Sequence, residues 1–357
     1  MTKNCTRRLI TSGSSVLLLA ASTLAAAQTA PAASTVTVYG LIDAAMRQAN
    51  NASASRGTLR SMDDGIFTGS RLGFRGREDL GGGLSAVFTM ESGFEPGSGT
   101  SLQGTPTADY GQNQANPRFW GREIHIGLRS QTWGLTAGRQ YTLAHSIAAR
   151  FQPLGNPNST AHSLFSSHHV ARQDNVLRVD LRAAGIEFSA THTAGEVPGS
   201  SANGSWALGA GYATPTLALG AYVQQMENLA GNEKRKIIGA GGNYKLNSSL
   251  QLFGGLMQRD SEVSAQVNKA WTAGLNYELS PAITLSLAHY NDRQSGSAAL
   301  AGKRQLTWVT ANYRFSKRSD VYAVLDENKV GGGYAKPAFM GTKGSQTGIV
   351  LGLRHRF

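Results

Sequence analysis

The chain has 357 residues, 43 of them glycine and 10 proline, with 40% apolar and 16% charged positions. Glycine is well above average usage, while the scarcity of proline excludes a collagen-like or disordered reading. Beyond the N-terminus nothing approaches the roughly 18 consecutive apolar residues of a spanning helix, which excludes a helical membrane protein.

The N-terminus reads as a secretory signal peptide over 1–27. Lys3, Arg7 and Arg8 form a positive region, 16–27 is a short apolar stretch, and Ala25 and Ala27 make a small-residue cleavage site before Gln28. Residues 28–357 are then one exported domain. Cys5 is the single cysteine and falls in the leader, so disulfides and thiolate metal sites are excluded from the mature chain. Removing Lys3, Arg7 and Arg8 from the 34 basic residues leaves 31 against 22 acidic ones, a net charge of +9. A basic balance points to anionic partners, and export excludes nucleic acid.

In chain order the mature region shows period-two alternation throughout. Leu72 and Phe74 alternate with Arg71, Gly73 and Arg75; Ile186, Phe188 and Ala190 with Glu187, Ser189 and Thr191. Trp271, Ala273, Leu275, Tyr277 and Leu279 form one face of a strand, Ile283, Leu285, Leu287 and His289 one face of the next. The last strand sets Ile349, Leu351, Leu353, His355 and Phe357 against Val350, Gly352, Arg354 and Arg356. Such segments are strands with one apolar and one polar face. Short turns such as Gly81-Gly82-Gly83 and Ser280-Pro281 alternate with long polar connections near 47–66, 94–118, 142–173, 195–204, 227–235, 260–268, 293–302 and 331–344. Sixteen strands result, from Thr35 to Phe357. A sandwich has no need of alternating loop lengths, and a β-helix would show a fixed repeat. The pattern predicts an all-β, 16-stranded antiparallel transmembrane β-barrel with a polar lumen. Tyr39, Trp120, Trp133, Tyr244, Tyr277 and Tyr313 near strand ends suit interfacial girdles, some of them facing the lumen instead.

Several blocks carry a resemblance. They are Thr35-Val36-Thr37-Val38-Tyr39-Gly40-Leu41-Ile42-Asp43, Gly69 to Gly76 running into Glu78 to Leu84, Met90-Glu91-Ser92-Gly93-Phe94, Gly138-Arg139-Gln140-Tyr141-Thr142 and the terminal Gly352 to Phe357. Collinear over the mature chain, they resemble the trimeric general porins of β-proteobacteria, the Neisseria, Bordetella and Burkholderia type. The resemblance implies a homotrimer in the outer membrane, among lipid and lipopolysaccharide, with the third external loop folded inward to narrow the pore. It also implies that Phe357 is the signal read by the outer-membrane assembly machinery. Leu143 stands where the family usually has proline, and the second loop, 95–117, is long and rich in Gly, Gln and Asn.

In a pore of this kind, fixed charges at a constriction concentrate counter-ions. Arg71, Arg75 and Arg77 share one strand face, and Arg178 and Arg182 another, with Asp180 between them. Arginine stays ionised and recognises carboxylate or phosphate in a fork geometry. These five are expected to line the lumen, with Asp43 and Glu91 as lumenal carboxylates. Arg139 joins them on the family pattern alone, since simple alternation places it toward lipid. The third loop has no Asp or Glu between 142 and 173; it carries His145, Arg150, His162, His168, His169 and Arg172. His145, Arg150, His168 and His169 are therefore candidates for the constriction, as solvated histidines or as a pH-sensitive charge. No third ligand accompanies His168 and His169, so neither a metal nor another cofactor is expected.

The sequence thus predicts passive diffusion of small hydrophilic solutes with a preference for anions, and no enzymatic activity. The alternatives are a substrate-specific channel for phosphate or organic acids, and an outer-membrane barrel hydrolase. The hydrolase lacks a nucleophile elbow or metal motif, and His192 and His289 fall at lipid-facing parity.

Overall fold

The structure, a computed structural model, describes residues 34–104, 109–112 and 117–357; the expected signal peptide lies outside them. Sixteen antiparallel staves close on themselves. They are β1 (Thr35–Ala49), β2 (Leu59–Asp64, resumed at Arg71–Gly81), β3 (Leu84–Phe94), β4 (Glu123–Arg129), β5 (Trp133–Tyr141), β6 (Arg172–Ala183), β7 (Ile186–Thr193) and β8 (Ser205–Ala213). The second half comprises β9 (Leu217–Glu227), β10 (Lys234–Lys245), β11 (Leu250–Ser261), β12 (Val267–Ser280), β13 (Ile283–Ser295), β14 (Gly302–Arg314), β15 (Ser319–Gly332) and β16 (Ser345–Arg356). A two-residue ladder at Ser101–Leu102 decorates the second long loop.

Closure runs through β1, which pairs with β16 from Leu41↔Arg356 to Ala49↔Gly348 and with both segments of β2 on its other side. Phe357 extends the seam, exchanging backbone hydrogen bonds with Gly40 at 3.0 and 3.1 Å. A closed ladder satisfies the backbone polar groups that lipid cannot. The connections obey the predicted alternation. The first of the short ones, between β2 and β3, is tight because Gly81, Gly82 and Gly83 all take positive φ, which costs glycine little.

The faces separate as the alternation requires. Val36, Ile126, Leu256 and Leu351 project outward and are 65–68% exposed. Tyr244, Tyr277 and Tyr313 lie on the same outward surface near the short turns, and Trp133, Trp206 and Trp271 share that surface. Tyr39 turns the other way, its hydroxyl donating to Glu91 at 3.0 Å.

One stretch departs from the sequence expectation. The first long connection is shorter than 47–66, because Leu59–Asp64 pairs with β1. The chain then leaves the ladder at 65–70. Asp43 explains the excursion: its carboxylate accepts from the Thr68 amide and hydroxyl, each at 3.0 Å, and its own amide donates to Ser70 Oγ. Ile66 and Phe67 become almost fully buried, with Phe67 stacked on Tyr322 at 4.0 Å. Six residues of irregular backbone are thereby tied to the wall at both ends.

Candidate functional site

The third long connection, 142–171, is the largest structured insertion. Thr142 caps the short helix α1 (Leu143–Ala148), its hydroxyl accepting from the His145 amide at 3.2 Å. One face of α1 presents Leu143, Ala144, Ile147 and Ala148, all buried. This face packs on the sides of β8, β9 and β10 opposite their exposed apolar residues.

Glycine clears the track. Gly211, Gly220, Gly241 and Gly255 stand in direct register across β8, β9, β10 and β11, forming one row. A Cβ at Gly220 would come within 2.6 Å of Ile147 Cγ2, at Gly255 within 2.6 Å of Phe151 Cβ, and at Gly274 on β12 within 2.6 Å of Pro153 Cγ. Real Cβ contacts do not reach such distances, so any larger residue displaces the insertion. Part of the high glycine content therefore has a packing reason, beyond turns. Phe151 and Phe165 are fully buried against Tyr222 and Tyr290; burying each such ring is worth about 1.5–3 kcal/mol.

Past Pro153 the segment is fastened by polar groups. Asn158 donates to Asp64 Oδ2 and to the Gly65 carbonyl, each at 3.0 Å. Arg304 donates to the Thr160 carbonyl, Asn328 to the Ala161 carbonyl and the Trp308 indole to the His162 carbonyl. The His162 ring lies 3.1 Å from Asp326, which also accepts from Arg47 at 2.8 Å. The His168 ring lies 2.8 Å from Asp292, which accepts from Tyr334 as well. Near the exit, Arg172 covers the Tyr141 ring, Tyr141 stacks on His145, and His145 Nδ1 meets His169 Nε2 at 3.1 Å.

The loop histidines are thus not solvated. His162, His168 and His169 are buried and His145 is largely enclosed. Burial, reinforced by His169, holds the His145 imidazole well below its usual range; burial, reinforced by His168, takes His169 down to about 3. Both are neutral at physiological pH. Asp43, expected as a lumenal carboxylate, is likewise enclosed: it has no exposed surface and accepts from the Tyr322 hydroxyl at 2.6 Å. Glu91 is buried too, paired with Arg122 at 2.5 Å and Arg71 at 3.6 Å.

The inward side of β2 to β7 looks different. Arg75 and Arg77 are exposed on it, Arg75 lying 5.1 Å from the Tyr39 ring centre and Arg77 donating to Ser85 at 3.0 Å. Arg178 pairs with Asp180 at 2.9 Å and Arg182 with Glu187 at 2.8 Å. Arg150 reaches from the insertion toward the same Glu187 at 3.5 Å. Arg129, exposed on the same inward side through its register with Ser85, escaped the sequence reading. Its signal was the alternation Glu123, His125, Gly127, Arg129, in a stave of only seven residues.

Arg139 stands apart from this group. It pairs in register with the outward Ile124, yet it is only 7% exposed. Its guanidinium bonds the Gly121 carbonyl and Asp174, which Arg118 also contacts. A bulge after Gly138 and the root of the second long loop enclose it, so its role is to hold that root. The described part of that loop folds over its own barrel: Gln173 donates to the Tyr110 carbonyl and Gly111 to Asn203, each bond at 2.8–2.9 Å.

Comparison with known proteins agrees with this architecture. Residues 14–333 match the profile of the Gram-negative porins. Over 152 residues the chain is 38% identical to an outer membrane porin protein of Bordetella pertussis, a span of 39% of this chain and 36% of that relative. Over 359 residues it is 25% identical to the major outer membrane protein P.IB of Neisseria meningitidis serogroup B, covering 95% of this chain and 99% of the relative. Among solved structures, an anion-selective porin from Comamonas acidovorans superposes with a TM-score of 0.73 at 19% identity, covering 91% of this chain and 100% of that one, a likeness of fold. The chain belongs to the Gram-negative porin family, the channel-forming β-barrels of the outer membrane.

Proposed function

We propose that the channel is a general diffusion pore for small hydrophilic solutes with a preference for anions, narrowed by the inward-folded segment 142–171. What carries the preference is the fate of the carboxylates. Asp43, Asp64, Asp292 and Asp326 are buried at 9% exposure or less, each hydrogen-bonded to the insertion or to the wall beneath it. Among the described residues, Arg75, Arg77 and Arg129 are exposed and form no ion pair. Arg71, Arg150, Arg178 and Arg182 share Glu91, Asp180 and Glu187. An aqueous passage along this wall meets net positive charge, and low-dielectric surroundings focus it. The anion-selective character stated for the Comamonas porin points the same way.

In a planar bilayer under a salt gradient, the reversal potential is expected to have the sign of anion selectivity; a cation-selective potential overturns the preference. The same membranes separate a general pore from a phosphate or organic-acid channel, whose ligand would block current saturably. Catalysis has no part in this reading. His289 is on the outward face, tilted against Trp271 and hydrogen-bonded to Thr307, and His192 shares the outward parity of Ile186 and Phe188. A homotrimer embedded in outer-membrane lipid and lipopolysaccharide is the proposed assembly, with Phe357 presented to the assembly machinery. Its ring is half exposed beside Gly40.

A further inference from the structure

A second charged feature lies on the outward surface, remote from the lumen. Along β12 the outward positions run Tyr277, Leu275, Ala273, Trp271, Lys269 toward the long-loop end. Tyr277 and Trp271 are each 42% exposed, and six residues of strand separate them by roughly 20 Å. An apolar band edged by aromatic rings is the profile of a lipid-facing stave, and Lys269 is the first outward residue beyond it. Lys269 stands in direct register with Arg293 of β13, and Arg293 with Lys303 of β14. All three are exposed.

The row continues to Gly331 of β15, where a Cβ would meet no atom within 4 Å. A surface cleft of about 550 Å³ results, lined by the three cations with Gly302, Gly331 and Gly332. Adjacent strands are about 4.8 Å apart, so three like charges are held at close spacing. Among the described residues none of the three forms an ion pair. Two carboxylates on the same outward surface are otherwise engaged: Asp260 accepts from Gln258 at 3.0 Å, and Glu327 pairs with Lys329 at 2.9 Å. A charge-assisted hydrogen-bonding anion is what such a row accommodates. Its position, immediately past the aromatic edge at the external end, places that anion at headgroup level of the outer leaflet.

We propose that Lys269, Arg293 and Lys303, with the space left by Gly331, bind the phosphate groups of an outer-leaflet glycolipid of the lipopolysaccharide class. The proposal rests on the outer-membrane location and not on the selectivity of the pore. The test uses the full-length porin in detergent micelles and a fluorescent bisphosphorylated glucosamine lipid. The triple variant K269Q/R293Q/K303Q is expected to bind roughly 100-fold more weakly, about fivefold for each cation lost. Gly331→Glu, which sets a carboxylate into open space, is expected to weaken binding about tenfold by like-charge repulsion. Removing both phosphates from the lipid is expected to abolish the difference between wild type and variants. Inorganic phosphate at millimolar concentration leaves binding within twofold.

Single-channel conductance of both variants stays at the wild-type value, which shows an intact channel; failure of the wild type to conduct strikes the pore reading instead. Binding by both variants within twofold of wild type overturns the lipid site, as does equal affinity for the dephosphorylated lipid. Competition by submillimolar inorganic phosphate overturns the lipid assignment in favour of a soluble anion. If the triple variant fails to conduct, Gly331→Glu alone decides.

Discussion

The inward faces of β2 to β7 and of β8 to β15 are built from the same alternating pattern and serve opposite ends. On β8 to β12 the inward positions are glycine where the insertion crosses, and on β13 to β15 they are large groups such as Tyr290, Trp308 and Asp326 that receive it. On β2 to β7 they include six arginines, Arg71, Arg75, Arg77, Arg129, Arg178 and Arg182, several of them exposed. One wall is covered and its carboxylates Asp292 and Asp326 are enclosed; the other keeps Arg75, Arg77 and Arg129 in contact with water. Selectivity in such a pore therefore depends as much on which carboxylates are buried as on which arginines are present. The contrast teaches that, under the proposed anion preference, an insertion without any acidic residue acts in two ways, by adding no carboxylate of its own and by enclosing those of the wall.

The sharpest way to break the contrast is to undo the covered wall at Asp326. Asp326→Ala leaves Arg47 and His162 buried beside each other without their carboxylate, a change costing about 3–5 kcal/mol. The insertion is expected to release, seen as a larger single-channel conductance and rapid proteolysis within 142–171. A conductance and cleavage rate equal to wild type would show that the segment is held elsewhere.

Next in size is Gly255→Val, which forces side-chain atoms against Phe151 at an overpacking cost of about 1–3 kcal/mol. Heat stability of the folded barrel is expected to fall, with conductance shifted in the same direction as for Asp326→Ala. Gly331→Ala on the outward surface, where nothing is near, provides the control and should change neither.

The exposed wall is probed by R75Q/R77Q/R129Q. Each charge contributes about 1 kcal/mol or less in a water-filled lumen, so the fold and conductance survive while the anion-to-cation permeability ratio falls severalfold. An unchanged ratio would move the selectivity to Arg178, Arg182 and Arg150.

The smallest effect concerns pH. His145 and His169 have folded values below their ordinary one near 6.5, the latter at about 3. Between those limits the released segment binds more protons than the docked one. Docking stability is therefore complete above about pH 6.5 and declines as pH falls toward 3, by at most about 1.4 kcal/mol per unit and histidine. Conductance should be flat from pH 8 to 6.5, and H145Q/H169Q should remove the decline in heat stability below that range. A conductance step near neutrality would mean that one of these rings titrates in the docked state.

Much of this was legible before any coordinates. Sixteen staves, their inward and outward faces, the alternation of short and long connections and the inward side of Arg71, Arg75, Arg77, Arg178 and Arg182 all follow from a local period of two. The break in β2 at 65–70 was not legible, because Asp43 and Ser70, which hold it, are 27 residues apart. Arg139 misleads for a related reason: a bulge and a loop root enclose a side chain that strict alternation sends into lipid.

By itself the sequence determined the barrel and the orientation of nearly every side chain across its wall, since pleating fixes the side of each residue relative to its neighbour. Only the tertiary structure decided which inward groups meet. Closure brings His162 to Asp326 and Tyr322 to Asp43, 164 and 279 residues apart. Burial and pairing depend on that juxtaposition, and no local pattern encodes it.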